Sequence, residues 1–248
     1  MKCAVIVPDI HIPYHNKKAL DAVMVSIANI KPSEIIFLGD LVDFYCIHGH
    51  GSKDPRLQTM LINEIEQVNK FLDQVDKDFP NIKKKYIEGN HEYRLARFIL
   101  NNAPQLFGVT SCFNLLKFNE RKNWEYIHYK NTQLTKVLDT NLFARHEPLA
   151  GHARLSVQRS MTNMVYGHIH RIECSYAKSI DNRSYVNFSP GWLGDDSNYS
   201  IFGYTPHRNQ WQLGFSTVYS EQKEFFFLIH EIKKIGNSYK TINMKGTA

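Results

Sequence analysis

Apolar residues in the first half of the chain alternate between short continuous runs and longer stretches with helical spacing. Residues 3–8 form an apolar run typical of a strand buried on both faces, and residues 17–30 follow with helical spacing. The same succession recurs as a run at 34–38, helical spacing at 56–79 and a further run at 85–88. Alternation of this kind predicts a parallel sheet with helices on its faces.

The second half is dominated by strand patterns, with one helix predicted at 153–161. Turn residues such as Asp181-Asn182 and Ser220-Glu221 separate neighbouring strands. This pattern predicts a second, mostly antiparallel sheet packed against the first. Because no linker or repeat interrupts the chain, we expect residues 1–248 to form a single domain. The predicted strands cover residues 124–129, 142–145, 164–166, 172–180, 184–188, 212–219 and 225–232.

Composition and charge exclude several classes of protein. The apolar runs are far shorter than the ~20 residues of a membrane span, and no secretory signal is visible, so we expect a soluble, cytoplasmic protein without a membrane partner. The four cysteines lie far apart and form no C-x-x-C pair, which predicts free thiols. The net charge of +6 favours anionic substrates. We interpret the cluster 83–85, three lysines, as a solvated approach to a strand.

Acidic, Asn and His residues fall just after the predicted strands. Because ligands bind at the carboxyl ends of strands in an open α/β sheet, we expect the loops after the first three strands to converge. Histidines that follow two later strands extend this set. Its members are Asp9, His11, Asp40, Asn90, His146, His168 and His170.

Nitrogen and oxygen donors in this mixture suit Mn, Fe, Zn, Co or Ni rather than Ca. Two ions about 3.5–4 Å apart can share a carboxylate and activate water for in-line attack on phosphorus. Each motif alone is weak evidence, since Gly-Asp turns and Asn-His pairs are common. All of them occur in order, each at the end of a strand-like run, with no ligand missing. The sequence therefore predicts a dinuclear metal centre for phosphoester hydrolysis.

These motifs carry a family resemblance. The series Asp9-x-His11, Gly39-Asp40-x-x-Asp43, Gly89-Asn90-His91-Glu92, His146 and Gly167-His168-x-His170 resembles the calcineurin-like metallophosphoesterases, and the Ser189-Pro190-Gly191 turn is similar to a further element of that family. The resemblance implies a four-layer α/β/β/α sandwich, with two central mixed sheets flanked by helices. It also implies two divalent transition-metal ions, with Mn ahead of Fe, Ni, Co or Zn.

The resemblance further implies how the residues divide their roles. Asp40 would bridge the two ions, and His91 would be the general acid for the leaving-group oxygen. Asp43 would orient the His91 ring and keep it protonated. Alternatively, Asp43 is a helix N-terminal carboxylate that stabilises the following turn. The first ion would be held by Asp9, His11, Asp40 and His170, and the second by Asp40, Asn90, His146 and His168.

Several positions depart from the family or extend the site. Protein Ser/Thr phosphatases of the superfamily have Asp-Arg-Gly where this chain has Asp43-Phe44-Tyr45, which counts against a phosphoprotein phosphatase. Arg94 and Arg145 are candidate phosphate clamps, or else an exposed helix cation and a surface residue. The loop at 44–56 and the segment after residue 191 are candidates for substrate contact, or else ordinary loops. Their candidate residues are Tyr45, His50 and Trp192.

We expect a phosphomonoesterase that uses metal-activated water on nucleoside monophosphates, a 5′-nucleotidase-like activity. A phosphodiesterase or nuclease with a nucleic-acid partner is the alternative, because basic charge and aromatic residues also suit a nucleic-acid strand. No stripe of Arg and Lys with interleaved aromatics is visible, however. A non-catalytic protein-binding scaffold is the third hypothesis, disfavoured by the complete ligand set and His91. The oligomeric state stays open.

Overall fold

The computed structural model describes residues 1–47, 60–129, 134–197, 208–236 and 238–244. Within these ranges the chain forms two β-sheets and several α-helices. The strands are β1 (Lys2–Val7), β2 (Glu34–Phe37), β3 (Lys83–Ile87), β4 (Trp124–Ile127), β5 (Thr135–Lys136), β6 (Leu142–Arg145), β7 (Asn163–Tyr166), β8 (Ile172–Lys178), β9 (Ser184–Pro190), β10 (Gly214–Glu221), β11 (Glu224–Ile235) and β12 (Ser238–Met244). The helices are α1 (Lys17–Ile30), α2 (Leu61–Asp78), α3 (Tyr93–Asn102), α4 (Cys112–Leu115) and α5 (Ala153–Ser160).

Both sheets are mixed. The first has the order β12-β11-β10-β1-β2-β3-β4, in which β1 to β4 run parallel and β10 to β12 pair antiparallel. The second has the order β5-β6-β7-β9-β8, with parallel pairs β6-β7 and β7-β9. Our expectation of a mostly antiparallel second sheet was therefore wrong. The strands predicted at 124–129, 212–219 and 225–232 join the first sheet, because an alternating pattern does not specify which sheet edge a strand pairs with.

Alternate residues of the first sheet face two different cores. Val5 and Val7 of β1 pack in a cluster that includes residues of α1, α2 and α3. Ala4 and Ile6, on the opposite face, pack against Leu142, Val165 and Phe188 of the second sheet. Burial on both faces explains why β1 is apolar throughout.

Helix α5 covers the outer face of the second sheet, where it contacts β7, β8 and β9. Asn187 of β9 donates to Ser156 Oγ of α5 at 3.2 Å. The layers are thus helices, sheet, sheet and helix, and the predicted α/β/β/α sandwich is confirmed.

Some elements differ from the sequence prediction. Helix α1 has the predicted bounds, whereas α2 begins at Leu61, and residues 56–59 of its predicted range lie outside the described residues. Helix α3 was not delimited from the sequence; its buried positions are Arg94, Leu95 and Ile99. Strand β12 was also missed.

Lys84 and Lys85 are buried, so interpreting this cluster as solvated was wrong for two of its three residues. Lys85 Nζ lies 2.9 Å from Glu34 Oε1 and donates to the Lys136 carbonyl at 2.6 Å. Lys84 Nζ donates to the Phe79 carbonyl at 2.9 Å. These partners compensate the cost of removing the two ammonium groups from water.

All four cysteines are free, as predicted. Across the described ranges, no helix combines the length and the hydropathy that crossing a bilayer requires.

Candidate metal centre

The polar residues that follow the strands of both sheets meet at one edge of the molecule. In a first group, ligand atoms of Asp9, His11, Asp40 and His170 all lie within 4.8 Å of one another, and all four residues are buried. Nε2 of His11 is 3.1 Å from Nε2 of His170. Two imidazole nitrogens aimed at each other beside two carboxylates form a donor set suited to a transition-metal ion.

A second group shares Asp40 with the first. Ligand atoms of Asp40, His146 and His168 lie within 4.8 Å of one another. Asn90 Oδ1 is 2.8 Å from both His146 Nε2 and His168 Nδ1, so the amide oxygen completes the group. The two groups contain the residues that the family resemblance assigns to the first and second ion. Their role as ligands stays a prediction.

Four of these residues adopt a left-handed backbone. The φ angles are 60° at His11, 49° at Asp40, 69° at His168 and 57° at His170. A residue with a side chain pays about 1–3 kcal/mol for such a conformation, and strain of this kind clusters at functional sites. These backbone conformations direct the four side chains toward the cluster, at a cost in local backbone stability.

Glycines let the loops after β2 and β3 approach each other. Gly39 has φ +99°, and a Cβ at this position would lie 2.8 Å from both Gly89 Cα and His146 Nδ1. A Cβ on Gly89 would collide with Asp40 Oδ1. Side chains at these two positions would therefore displace a proposed ligand, which explains the glycine in both motifs.

Hydrogen bonds from outside the cluster fix the orientation of two imidazoles. His146 Nδ1 lies 2.7 Å from the Leu38 carbonyl, and His11 Nδ1 lies 2.8 Å from Asp43 Oδ2. Each ring then directs Nε2 inward, the arrangement that outer-shell partners impose on metal-binding histidines. The Asp43 carboxylate contacts His11 most closely and also lies 3.3 Å from His91 Nδ1, so the expected role of Asp43 toward His91 stays a prediction.

His91 interacts with Asp43 and with Arg94. Its Nδ1 is 2.9 Å from the Asp43 carbonyl and 3.3 Å from Asp43 Oδ2. Arg94 Nη2 lies 2.8 Å from His91 Nε2, and Arg94 Nη1 donates to the Asp43 carbonyl at 2.8 Å. Because a guanidinium can only donate, His91 Nε2 accepts and the ring is neutral here. Arg94 is buried, so the alternative of an exposed helix cation was wrong.

Electrostatics in the cluster follow from burial and the concentrated carboxylates. Burial raises the pKa of Asp9 to about 6, although the His146 charge opposes the shift. Burial also opposes ionisation of Asp40, but His146 and His91 outweigh it and hold the Asp40 pKa well below its usual value. Against burial, Asp40 raises the pKa of His146 to about 10, and Asp43 raises the pKa of His11.

The pKa values of the other histidines in the cluster shift in the opposite direction. Burial lowers the pKa of His168 to about 4 and holds that of His170 well below its usual value. Burial and the Arg94 charge lower the pKa of His91, although Asp40 and Asp43 act to raise it, and the role of Asp43 in keeping the ring protonated stays a prediction. Neutral imidazoles are the form that binds metal, and the buried Nδ1 of His170 has no hydrogen-bond partner among the described residues. The residues present therefore fit a divalent cation.

We expect metal binding to release protons. At pH 7 the His146 proton must leave before its nitrogen can bind a cation, with a further contribution from His11. Affinity should thus rise by at least about tenfold per pH unit between pH 7 and 9, and more steeply below the Asp9 pKa of about 6. Calorimetric titration with Mn²⁺ in buffers of different ionisation enthalpy measures the released protons. An affinity independent of pH over this range would contradict the expectation.

Glu92 is the residue of this centre for which the sequence suggested no role. Its side chain is fully buried and accepts backbone N–H groups of Asp40, Leu41, Val42 and Gly89 at 2.7–3.2 Å. The Tyr86 hydroxyl donates a further bond at 2.7 Å. Glu92 therefore ties the loop after β2 to the loop after β3. Its place in the Gly-Asn-His-Glu motif was the available signal.

Two of the residues predicted to contact substrate are buried. Trp192 and Tyr45 are buried and pack in one cluster, and the Trp192 ring stacks on His170 at 4.8 Å. The backbone N–H of Leu193 donates to the Asp9 carbonyl at 2.7 Å, so the start of the segment after residue 191 packs against the loop that carries Asp9. Arg145 is half-buried at the end of β6. His50 and residues 48–56 of the loop lie outside the described residues.

Comparison with known proteins decides the family. The model of the calcineurin-like phosphoesterases matches residues 4–195. The chain belongs to this family, as the motifs predicted. Family membership and the clustered Asp and His residues support a phosphoesterase with a divalent metal site.

Individual relatives are distant. The Gene 54 protein of Mycobacterium phage L5 is 28% identical over 123 residues, a match that covers 48% of this chain and 48% of the phage protein, about half its length. Among solved structures, Chaetomium thermophilum Vps29 is 10% identical with a TM-score of 0.47, covering 98% of this chain and 93% of that one. Zn²⁺-complexed Vps29 from Entamoeba histolytica is 11% identical with a TM-score of 0.48 and covers 98% of each chain. The phosphoesterase YfcE from E. coli is 13% identical with a TM-score of 0.38, covering 90% and 96%.

Proposed function

We propose that the protein hydrolyses phosphomonoesters at a dinuclear metal centre, with nucleoside monophosphates as the substrate class. The observation that carries this proposal is the sharing of Asp40 by two clusters of ligand atoms beside His91. Two clusters with a common carboxylate are the arrangement that two-metal hydrolysis requires. We also propose Mn²⁺ as the metal and the cytoplasm as the location.

The contacts of the side chains support a role for each of them. Asp9, His11, Asp40 and His170 would hold one ion, and Asp40, Asn90, His146 and His168 the other. When bound, the ions supply a water nucleophile at neutral pH and neutralise charge on the phosphoryl oxygens. Asp43 orients His11 and, through its carbonyl, His91. Glu92 fixes the loop that carries Asp40.

His91 would donate a proton from Nε2 to the leaving-group oxygen. In the present arrangement that nitrogen accepts a bond from Arg94. An incoming phosphate dianion attracts the guanidinium, since Arg binds phosphate oxygens strongly. Its departure from the ring leaves Nε2 able to take up and then deliver the proton. Arg94 thus has two partners in turn, first His91 and then the phosphate.

A substrate panel tests the proposal. Protein stripped of metal and reloaded with Mn²⁺, Co²⁺, Ni²⁺ or Zn²⁺ is incubated with 5′- and 3′-mononucleotides, a bis-aryl phosphate diester and linear DNA. Release of phosphate from the monoesters alone is the expected result. Comparable cleavage of the diester or DNA would favour the phosphodiesterase alternative. No turnover with any metal would favour a non-catalytic scaffold.

Replacing His91 separates its role from metal binding. We expect His91→Ala to lower kcat for a nucleoside monophosphate about 100-fold or more, because an alkoxide leaves poorly without a proton. The loss should be much smaller with p-nitrophenyl phosphate, whose leaving group is stable as an anion. Metal content should stay at the wild-type level, as measured by elemental analysis. Equal losses with both substrates would rule out the acid role.

A further inference from the structure

The two proposed ligands that are not buried show where a substrate approaches the centre. His168 is exposed and Asn90 is partly exposed, whereas the other proposed ligands are buried. A phosphate ester can therefore reach the cluster from this side, where its leaving group would lie near the side chains next to these two residues.

Three partly exposed residues lie at the same edge of the two sheets as these ligands, and we call them the rim: Tyr93, Tyr129 and Glu147. Tyr93 opens α3, three positions after Asn90. Tyr129 follows the carboxyl end of β4, next to β3 in the first sheet. Glu147 directly follows His146 at the end of β6 in the second sheet. The rim thus spans both sheets at the edge where the ligands converge.

Contacts hold the rim together. The Tyr93 and Tyr129 rings lie 4.7 Å apart at an angle of 34°. The Tyr129 hydroxyl donates to Glu147 Oε1 at 2.6 Å. Burial and the Glu147 carboxylate raise the pKa of the Tyr129 hydroxyl, so the hydroxyl stays a donor to Glu147.

We propose that the rim is the leaving-group subsite and that it accepts an uncharged nucleoside. The aromatic pair offers a face on which a base stacks. The Glu147 carboxylate, anchored by Tyr129, accepts hydrogen bonds from ribose hydroxyls or a base amino group. The same negative charge repels a leaving group that carries a second phosphate, which disfavours a nucleic-acid strand. This inference rests on the proposed function and specifies its substrate.

Two simpler phosphate esters test the two parts of the rim separately, because each lacks one of the groups that the rim would recognise in a nucleoside. Phenyl phosphate has a ring but no hydroxyl or amine, and glycerol phosphate has hydroxyls but no ring. We expect Tyr93→Leu to lower kcat/KM about tenfold for adenosine monophosphate and phenyl phosphate, but not for glycerol phosphate. Glu147→Gln should lower it about tenfold for adenosine monophosphate and glycerol phosphate, but not for phenyl phosphate. The Gln oxygen can still accept from Tyr129, so the fold of the rim is retained.

A second phosphate on the substrate should reverse the effect of Glu147→Gln on turnover. Glu147→Gln should increase turnover of a 3′,5′-bisphosphate nucleoside, because the repulsion is removed. Glu221→Gln is the matched control, since Glu221 is exposed at the turn between β10 and β11, at the end of β1 opposite the cluster. It should behave as wild type with every substrate. Equal changes in all substrates for both rim variants would overturn the proposal.

Binding of adenosine alone provides a readout without turnover. In a saturation-transfer difference NMR experiment, saturation should pass from the wild-type protein to the base protons of adenosine. This transfer should be lost with Tyr93→Leu. If no phosphate ester is hydrolysed, the proposed function fails, yet transfer that depends on Tyr93 still supports the rim. Transfer that persists in Tyr93→Leu, or none with wild type, would overturn the rim as a nucleoside subsite.

Discussion

Asp40→Asn should abolish phosphate release while leaving the chain folded. Asp40 is the residue common to both clusters, and its Oδ2 lies 3.3 Å from His146 Nε2. An amide has the same shape but no charge, so it cannot serve as a shared anionic ligand. Removing an outer-shell partner of a metal ligand already costs about 10–100-fold in affinity or activity. Loss of a ligand shared by both ions should therefore cost on the order of 10³-fold or more in kcat/KM.

Metal content and activity are measured on the same preparation. After dialysis against limiting Mn²⁺, elemental analysis should show that Asp40→Asn has lost bound metal, and circular dichroism should show an intact fold. Asp181→Asn makes the same chemical change on an exposed turn, where the Asp181 side chain is 53% accessible, and should match wild type. Full metal content and activity in Asp40→Asn would show that Asp40 is not the shared ligand.

The sequence specified much of the fold because its apolar runs are unambiguous. Residues of β1 and β2 are buried on both faces. Such strands are apolar at successive positions, which distinguishes them from polar loops. The motifs then fall at the carboxyl ends of these strands, where sheet topology brings them together. Family resemblance supplied the layered architecture and the division of ligands between two ions.

Other features could not be predicted because they depend on tertiary contacts. Nothing local distinguishes Lys85, which is buried against Glu34, from a solvated lysine at the start of a strand. Arg94 resembles an exposed helix cation until its contacts with His91 and Asp43 are known. Sequence spacing likewise could not indicate that the Asp43 carboxylate lies closer to His11 than to His91.

Glu92 belongs to the Gly-Asn-His-Glu motif, but its role depends on tertiary contacts. Of these replacements, that of Glu92 should lower the free energy of unfolding most. One carboxylate oxygen accepts the N–H groups of Leu41 and Val42 and the Tyr86 hydroxyl, and the other accepts those of Asp40 and Gly89. In Glu92→Gln, the NH₂ group must face at least two N–H donors that then have no acceptor. Each buried group left unsatisfied costs about 1–3 kcal/mol, so we expect the free energy of unfolding to fall by about 3 kcal/mol.

Urea denaturation in EDTA separates this effect from metal loss. Tyr86→Phe removes a single donor to the same carboxylate and should cost only about 1 kcal/mol. Glu120→Gln, at an exposed position, should leave the unfolding curve unchanged. With metal present, Glu92→Gln should also bind Mn²⁺ more weakly than wild type, because the loop that carries Asp40 loses its anchor. If Glu92→Gln were as stable as Glu120→Gln, the carboxylate could not be what joins the loops after β2 and β3, and Asp40 would have to be positioned by the backbone alone.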